Sequence, residues 1–375
     1  MKFRSERDSL AEVLATAGRA AGGRGTTSAV LSGLMLRAEG NRLEVTGTDL
    51  DLTVRVEHEV IGLEDGACVV PGRLTADVVR ALEAGAVTVE SDEEKVEISS
   101  ARAHFGLRSF PAVEFPSLPL PPPPTVRFPR AALFEALRQV VRAASNDDAR
   151  PLLTGVLLTT AGHGVRLVAT DSYRLALRDV HGTAAFDGTD DVLVPARALA
   201  ELQRLTPGQA AASANEGPGA EIGVSPGVSD MTFTCGPTRI STRLLEGTYP
   251  DYRQLIPDHY PNRLHVGRDS LVAALRRVRL LVRDNTTPVR LSMRPNGVDL
   301  SVVSQEIGDA SETVEGDFTG EDLVVAFNPS YLIDGVDAVL DDEVFIETDN
   351  PARPATVRAA SRDDFRYLLM PVRVS

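Results

Sequence analysis

The chain has 375 residues, which at ~100–200 residues per domain predicts two to four domains with a sizeable core. Hydrophobic residues make up 43%, charged residues 25% and aromatic residues 5%, a globular balance that excludes disorder and collagen-like architecture. No apolar run reaches the ~18 residues of a bilayer span and the start MKFRSERDSL is charged, so a cytoplasmic protein without a membrane partner is expected; the net charge of -14 speaks against nucleic acid only if it is evenly spread.

The first predicted helix carries Leu10, Val13, Leu14 and Ala17 on one face. Gly22-Gly23-Arg24-Gly25 follows as a turn, because it lacks the Lys and the hydroxyl of a phosphate-binding loop. RLEVTGTDLDLTVRVEHEV alternates apolar and polar residues and predicts antiparallel strand with one wet face. VVPGRLTADVVRAL predicts a helix with Pro71 near its first position, where the missing N–H costs nothing; Arg73 and Arg80 share a face. AVTVESDEEKVEISS alternates again, and LPLPPPPT, residues 118–125, is a polyproline-II linker. The next helix spaces Leu133, Leu137, Val140, Val141 and Ala144 as a buried stripe, with Arg138 and Arg142 opposite. LVPARALAELQRL repeats the post-proline helix and carries Arg197 and Arg204. A third opening helix turns Leu271, Leu275, Val278 and Val282 inward and Arg276, Arg279 and Arg283 onto a neighbouring arc. Leu280 and Leu281 fall off that stripe, where a lone chain has no core.

These elements recur. Thr48-Asp49 and Thr170-Asp171 lie 122 residues apart, and Pro71 and Pro195 lie 124 apart. Pro329 follows Pro195 by 134, Ser304 follows Thr170 by 134, and Tyr249-Pro250 follows Phe115-Pro116 by 134. The concordant offsets predict three units at 1–125, 126–257 and 258–375. Each is α+β, two helices packed on antiparallel sheet.

No constellation for catalysis emerges. There is no nucleophile elbow, HExxH or EF-hand pattern, so no cofactor and no metal site is expected. Cys68 and Cys235 read as core thiols. Glu57 and Glu59 share one strand face and His58 the other, a solvated strand face rather than a ligand set. Asp147-Asp148, Asp190-Asp191, Asp341-Asp342 and Asp363-Asp364 fall at turns, where Asp is favoured. What remains is arginine on helix faces. Lys2 and Lys95 are the only lysines, a bias that suits phosphate recognition but is more simply explained by GC-rich coding. On physical grounds alone the arginines are either solvated helix faces or phosphate contacts without base readout.

Four motifs in order decide more. LLTGVLL (152–158), ATDSYRLAL (169–177), EGTYPDYRQLIP (246–257) and YLLMPVRV (367–374) resemble the bacterial sliding clamp family, the β subunit of DNA polymerase III, as do the start MKFRSERDSL and the GTDLDL segment. The resemblance spans the whole chain. It implies a non-catalytic processivity factor with the DNA-clamp fold: a head-to-tail homodimer closing into a ring of six domains around duplex DNA. It implies a tether for the DNA polymerase III α subunit, the clamp loader and other proteins with clamp-binding motifs. Carried over, the DNA-facing residues are Arg24, Arg73, Arg80, Arg138, Arg142, Arg150, Arg197, Arg204 and Arg276. A partner-peptide pocket would comprise Leu153, Thr170, Ser172, Tyr173, Arg174, Leu175, Pro250, Gln254, Leu255, Pro354, Met370, Pro371, Val372 and Arg373. The ring contact would pair strands around residues 102–107, using Arg102, Phe105 and Leu107 with Leu280 and Leu281. Ser172-Tyr173 stands where the family usually has Gly then His or Tyr, and Gln254 where a basic residue is common, so motif preference is open. YLLMPVRV also reads as a final core strand, Leu368 and Met370 on one face and Leu369 on the other. The competing view is an acidic, repeat-built protein-interaction scaffold that never encircles DNA.

Overall fold

A computed structural model describes residues 1–22, 28–92, 94–162, 164–182, 191–205, 221–257, 259–283 and 287–373. Each repeat opens with a short strand running straight into a helix. Lys2–Glu6 leads into α1 (Arg7–Gly18), and Gly66–Pro71 leads into α2 (Gly72–Ala81). The second repeat follows with Val126–Pro129 before α3 (Arg130–Val140) and Val192–Pro195 before α4 (Ala196–Gln203). The third has Asn262–Gly267 before α5 (Arg268–Val278) and Leu323–Phe327 before α6 (Pro329–Asp337). Hairpins of alternating strands fill the rest, and every described pairing is antiparallel.

The helices bury the faces their periodicity announces. Leu10, Val13, Leu14 and Ala17 are buried in α1, and Leu271, Leu275 and Val278 in α5. Two stripes stop early. In α3, Leu133, Leu137 and Val140 are buried, but regular helix ends at Val140; Val141–Ala143 forms one tighter turn, and Ala144 is extended. Past α5 the chain tightens over Arg279–Leu281 and Val282 is extended, so Val282 and Arg283 lie outside the helix. The prolines also sit one place earlier than expected: Pro71 and Pro195 close the preceding strand, and only Pro329 occupies the first helical turn. There Asn328 caps α6 by accepting from the N–H of Ser330 at 2.9 Å and of Tyr331 at 3.3 Å.

Two compact units result, Met1–Arg130 with Arg197–Leu244, and Ala131–Ala196 with Leu245–Ser375. They cut through the middle repeat for a reason visible in the pairing. In the first unit Leu52–Glu59 pairs with Thr238–Arg243, joining first-repeat strands to second-repeat strands in a nine-stranded sheet. In the second, Arg174–His181 pairs with Phe365–Leu369 inside a twelve-stranded sheet. Backbone hydrogen bonds across a repeat boundary make sheet continuity a stronger grouping than sequence repetition. The first unit also holds a five-stranded sheet that ends at Ala103–Arg108.

The repeat is retained down to single hydrogen bonds. Thr48 Oγ1 accepts from the Leu50 N–H at 3.0 Å and donates to the Leu52 carbonyl at 3.1 Å. Thr170 Oγ1 accepts from the Ser172 N–H at 3.1 Å and donates to the Arg174 carbonyl at 2.6 Å. Asp49 and Asp171 accept from the same two following N–H groups, and Leu50 and Ser172 both take positive φ, 80° and 79°. Thr-Asp at these positions is therefore turn chemistry, with side-chain oxygens replacing backbone partners.

Candidate functional site

The Thr170–Arg174 turn is the floor of a cleft of about 100 Å³ in the second unit, lined by Thr170, Ser172, Arg174, Leu175, Leu255, Pro354, Leu368, Leu369 and Met370. Its walls are built by strand register. Leu175 pairs with Leu368 and Arg174 with Leu369, so Leu175 and Leu368 stand side by side on one sheet face. They join Leu157, Val168, Leu177, Leu193 and Tyr252 in a buried cluster capped by Leu245, Tyr249 and Ile256. Two apolar side chains at the mouth remain uncovered: Leu255 is 48% exposed and Met370 42%. The strand ends at Leu369, and the Met370 N–H donates to the Tyr173 carbonyl at 2.9 Å, which fixes Met370 over the turn.

Polar groups brace the back of the cleft. Arg174, whose side chain is 10% exposed, donates from Nε to Asp171 at 3.0 Å and from Nη1 to Asp334 at 2.6 Å, and it also reaches the Arg142 carbonyl. Its guanidinium lies 4.3 Å from the Tyr331 ring centroid. Behind it Tyr367 is buried, which pushes its hydroxyl above the usual tyrosine range, and that hydroxyl donates to the Tyr331 carbonyl at 3.0 Å. Gly335 of α6 makes this packing possible, since a Cβ there would come within 2.4 Å of the Tyr367 ring. A fixed cationic hub beneath an apolar, partly uncovered mouth is suited to a short extended segment with leucine- or phenylalanine-like anchors, each worth ~1.5–3 kcal/mol when fully buried.

Of the expected pocket residues, Thr170, Ser172, Arg174, Leu175, Leu255, Pro354 and Met370 line the cleft. Leu153 is buried and is not among the lining residues, Tyr173 and Pro250 are exposed, and Gln254 donates to Asp251 at 2.9 Å. Pro371, Val372 and Arg373 follow the strand without lining the cleft, and the Val372 N–H donates to Ala326. Leu368 and Leu369 were missing from the expected set. The signal for Leu368 lay in strand alternation, which puts it on the face of Met370.

The matching turn in the first unit is built from different side chains. There Thr53 occupies the place of Leu175, Ser241 that of Leu368 and Arg243 that of Met370, as the registers and the Arg243 N–H to Asp51 carbonyl bond at 2.9 Å require. Hydroxyls bonded to one another, Thr48 to Thr53 at 2.8 Å, replace the leucine wall. A larger groove of about 1000 Å³ does run past Glu12, Arg42, Glu57, His58 and Glu59, and its lining mixes these polar groups with Val13, Val56, Val60 and Pro237. His58 Nε2 lies 2.9 Å from Ser5 Oγ, and among the described residues no group of three or more His, Cys, Asp or Glu could hold a metal.

The helix-face arginines are mostly paired. Arg73 and Arg80 flank Asp77, Arg142 bonds Asp337 at 3.4 Å, Arg276 bonds the same Asp337 at 3.2 Å, and Arg197 and Arg204 hold Asp49 and Glu201. Arg204 lies just past the end of α4. Arg138 is exposed on α3. Arg150 stands apart from the helix faces: it bonds Asp147 at 3.1 Å and Ser172 Oγ at 3.1 Å, at the rim of the cleft. Asp147 accepts from the Ala149 N–H, and that bond with the Arg150 charge holds its carboxyl below the usual range. Arg24 and Asp190 lie outside the described residues. The strand Ala103–Arg108 leaves one edge of its sheet unpaired, with Phe105 exposed, Leu107 half-buried and Arg102 exposed in the turn before it. Leu280 is 80% exposed and Leu281 half-buried.

Comparison with known proteins agrees along the whole length. Three family models match in order: DNA polymerase III beta subunit, N-terminal domain, over residues 1–119; central domain, over 127–251; and C-terminal domain, over 253–373. The beta sliding clamp of Streptomyces coelicolor is 36% identical over 385 residues, covering 100% of both chains. Crystal structures of the sliding clamps of Bartonella birtlesii and Pseudomonas aeruginosa, each bound to griselimycin, superpose with TM-scores of 0.89 at 29% and 27% identity, covering 100% of each chain. With the threefold repeat, the sheet continuity and the apolar cleft in place, the chain belongs to the bacterial β sliding clamp family, the DNA polymerase III β subunits.

Proposed function

We propose that this sliding clamp acts as a cytoplasmic, non-catalytic homodimer whose two chains, each with domains 1–125, 126–257 and 258–375, close head to tail into a ring around duplex DNA. The ring contact joins Arg102, Phe105 and Leu107 of one copy to Leu280 and Leu281 of the other. The unpaired edge of Ala103–Arg108 supports this, because an edge strand with an exposed Phe is a template for another chain. DNA is held by Arg24, Arg73, Arg80, Arg138, Arg142, Arg150, Arg197, Arg204 and Arg276. The pairs exposed on both sides, those of Arg73, Arg80, Arg142, Arg150 and Arg276, are worth only ~0–1 kcal/mol each, so passing phosphates displace those acids at little cost and the barrier to sliding stays low. The cleft between Leu175 and Met370 receives short apolar motifs of the DNA polymerase III α subunit, the clamp loader and other partners, with Leu153, Tyr173, Pro250, Gln254, Pro371, Val372 and Arg373 around it.

The observation that carries the reading is the leucine-walled cleft with Leu255 and Met370 left uncovered at its mouth. Loading onto nicked circular DNA tests the ring: the protein should remain on the circle and be lost when the circle is cut. Sedimentation should show about 80 kDa, twice the 40.1 kDa chain. A monomer at all concentrations, or equal retention on cut DNA, overturns the proposal.

A further inference from the structure

We propose that the cleft beside the leucine pocket, walled by Arg263, Arg358 and Arg366, is a carboxylate-binding subsite that reads an acidic side chain flanking a partner's apolar motif. The inference rests on the peptide-pocket reading and deepens it. Strand register sets a wall residue of one cleft beside a wall residue of the other. Thr356 pairs with Leu368 and Arg358 with Arg366, and Glu347 pairs with Thr356 and with Arg263. Leu368 and Arg366 are two residues apart on one strand, so they share a face at ~7 Å along it. The second cleft encloses about 280 Å³.

Its chemistry is that of an anion site built in advance. Glu347, only 4% exposed, accepts from Arg263 Nε at 2.8 Å and from Arg358 Nε and Nη2 at 2.8 and 2.9 Å. Phe345 lies under both guanidiniums, at 5.0 and 4.8 Å from its ring centroid. One buried carboxylate thus fixes two cations while neutralising only one. Arg366 is held by Asp363 at 2.8 Å, and the Asp363 side chain is 67% exposed, so that pair is worth ~0–1 kcal/mol and yields to a better-placed acid. Three guanidiniums against Glu347 and Asp363 leave a positive excess on a chain of net charge -14. Guanidinium forks favour planar carboxylates bidentately. An extended segment rising ~3.3 Å per residue would place the acid two or three residues from the apolar anchor.

Two synthetic peptides test this by fluorescence anisotropy. Both carry the same Leu-Phe anchor; one has Asp at two and three residues to either side, the other Ser. The acidic peptide should bind ~3–10-fold tighter, with the difference shrinking as salt rises. Arg366→Gln should bring it down to the Ser peptide, whose own affinity stays unchanged, and Arg366→Glu should transfer the preference to a Lys-flanked peptide. Equal affinity of both peptides for the native chain, or an acidic preference that survives Arg366→Gln, overturns the subsite and leaves the apolar pocket standing. Failure of the Ser peptide to bind at all overturns the pocket reading and the subsite with it.

Discussion

Truncating the mouth of the cleft separates binding from folding. Met370 is 42% exposed and Leu255 48% exposed in the free chain, so a partner can cover about half of each side chain. At ~1.5–3 kcal/mol for full burial of such a side chain, the share left for a partner is ~0.6–1.4 kcal/mol each. Met370→Ala should therefore weaken an apolar-motif peptide ~3–10-fold, and Met370→Ala with Leu255→Ala ~10–100-fold if the two effects add. Leu175 behaves differently. At 2% exposure its truncation leaves a cavity and costs ~2–5 kcal/mol of stability, so loss of binding in Leu175→Ala would report unfolding as readily as lost contact. Anisotropy titration beside a thermal melt separates these effects: the mouth variants keep the native midpoint and lose affinity. Native affinity in the double variant would refute the placement of the pocket mouth.

Arg138→Ala should lower the salt dependence of binding to a linear duplex by ~0.9 in log–log slope, the loss of one phosphate contact; an unchanged slope places Arg138 away from the duplex. Arg174→Ala strands Asp171 and should cost ~3–5 kcal/mol in denaturant unfolding; a cost under ~1 kcal/mol would mean that water relieves the buried carboxylate. Burial first, against a smaller opposing pull from Glu59, lowers the His58 pKa below 6.5. Its folded-state pKa is depressed, so its contribution is complete above 6.5 and is lost as pH falls below that value. His58→Gln should flatten part of the fall in unfolding midpoint between neutral and mildly acidic pH, and an unaltered profile would count against a role for His58.

Much of the fold was legible because hydrophobic spacing and turn chemistry are local. The stripe Leu10, Val13, Leu14, Ala17 is buried as its period demands, and Thr-Asp marks two turns with the same hydrogen bonds. The helix ends after Val140 and Val278 were not legible, since the apolar period continues past both. In the cleft, Leu368 was hidden by its own burial: a core strand and a pocket wall look alike in one dimension. The arginines were read correctly as exposed for the most part, but their acids, such as Asp337 for both Arg142 and Arg276, come from distant chain.

Three copies of one strand–helix–hairpin unit and the Thr-Asp turns are written locally in the chain, because period, proline and short polar side chains act within a few residues. Which of the two junctions opens an apolar cleft depends on long-range pairing. Both junctions use the same turn and the same cross-boundary strand pairing, but one sets Leu175 against Leu368 and the other Thr53 against Ser241. A pocket depends on what two distant strands place opposite each other, and that register is set by hydrogen bonds between residues almost two hundred positions apart.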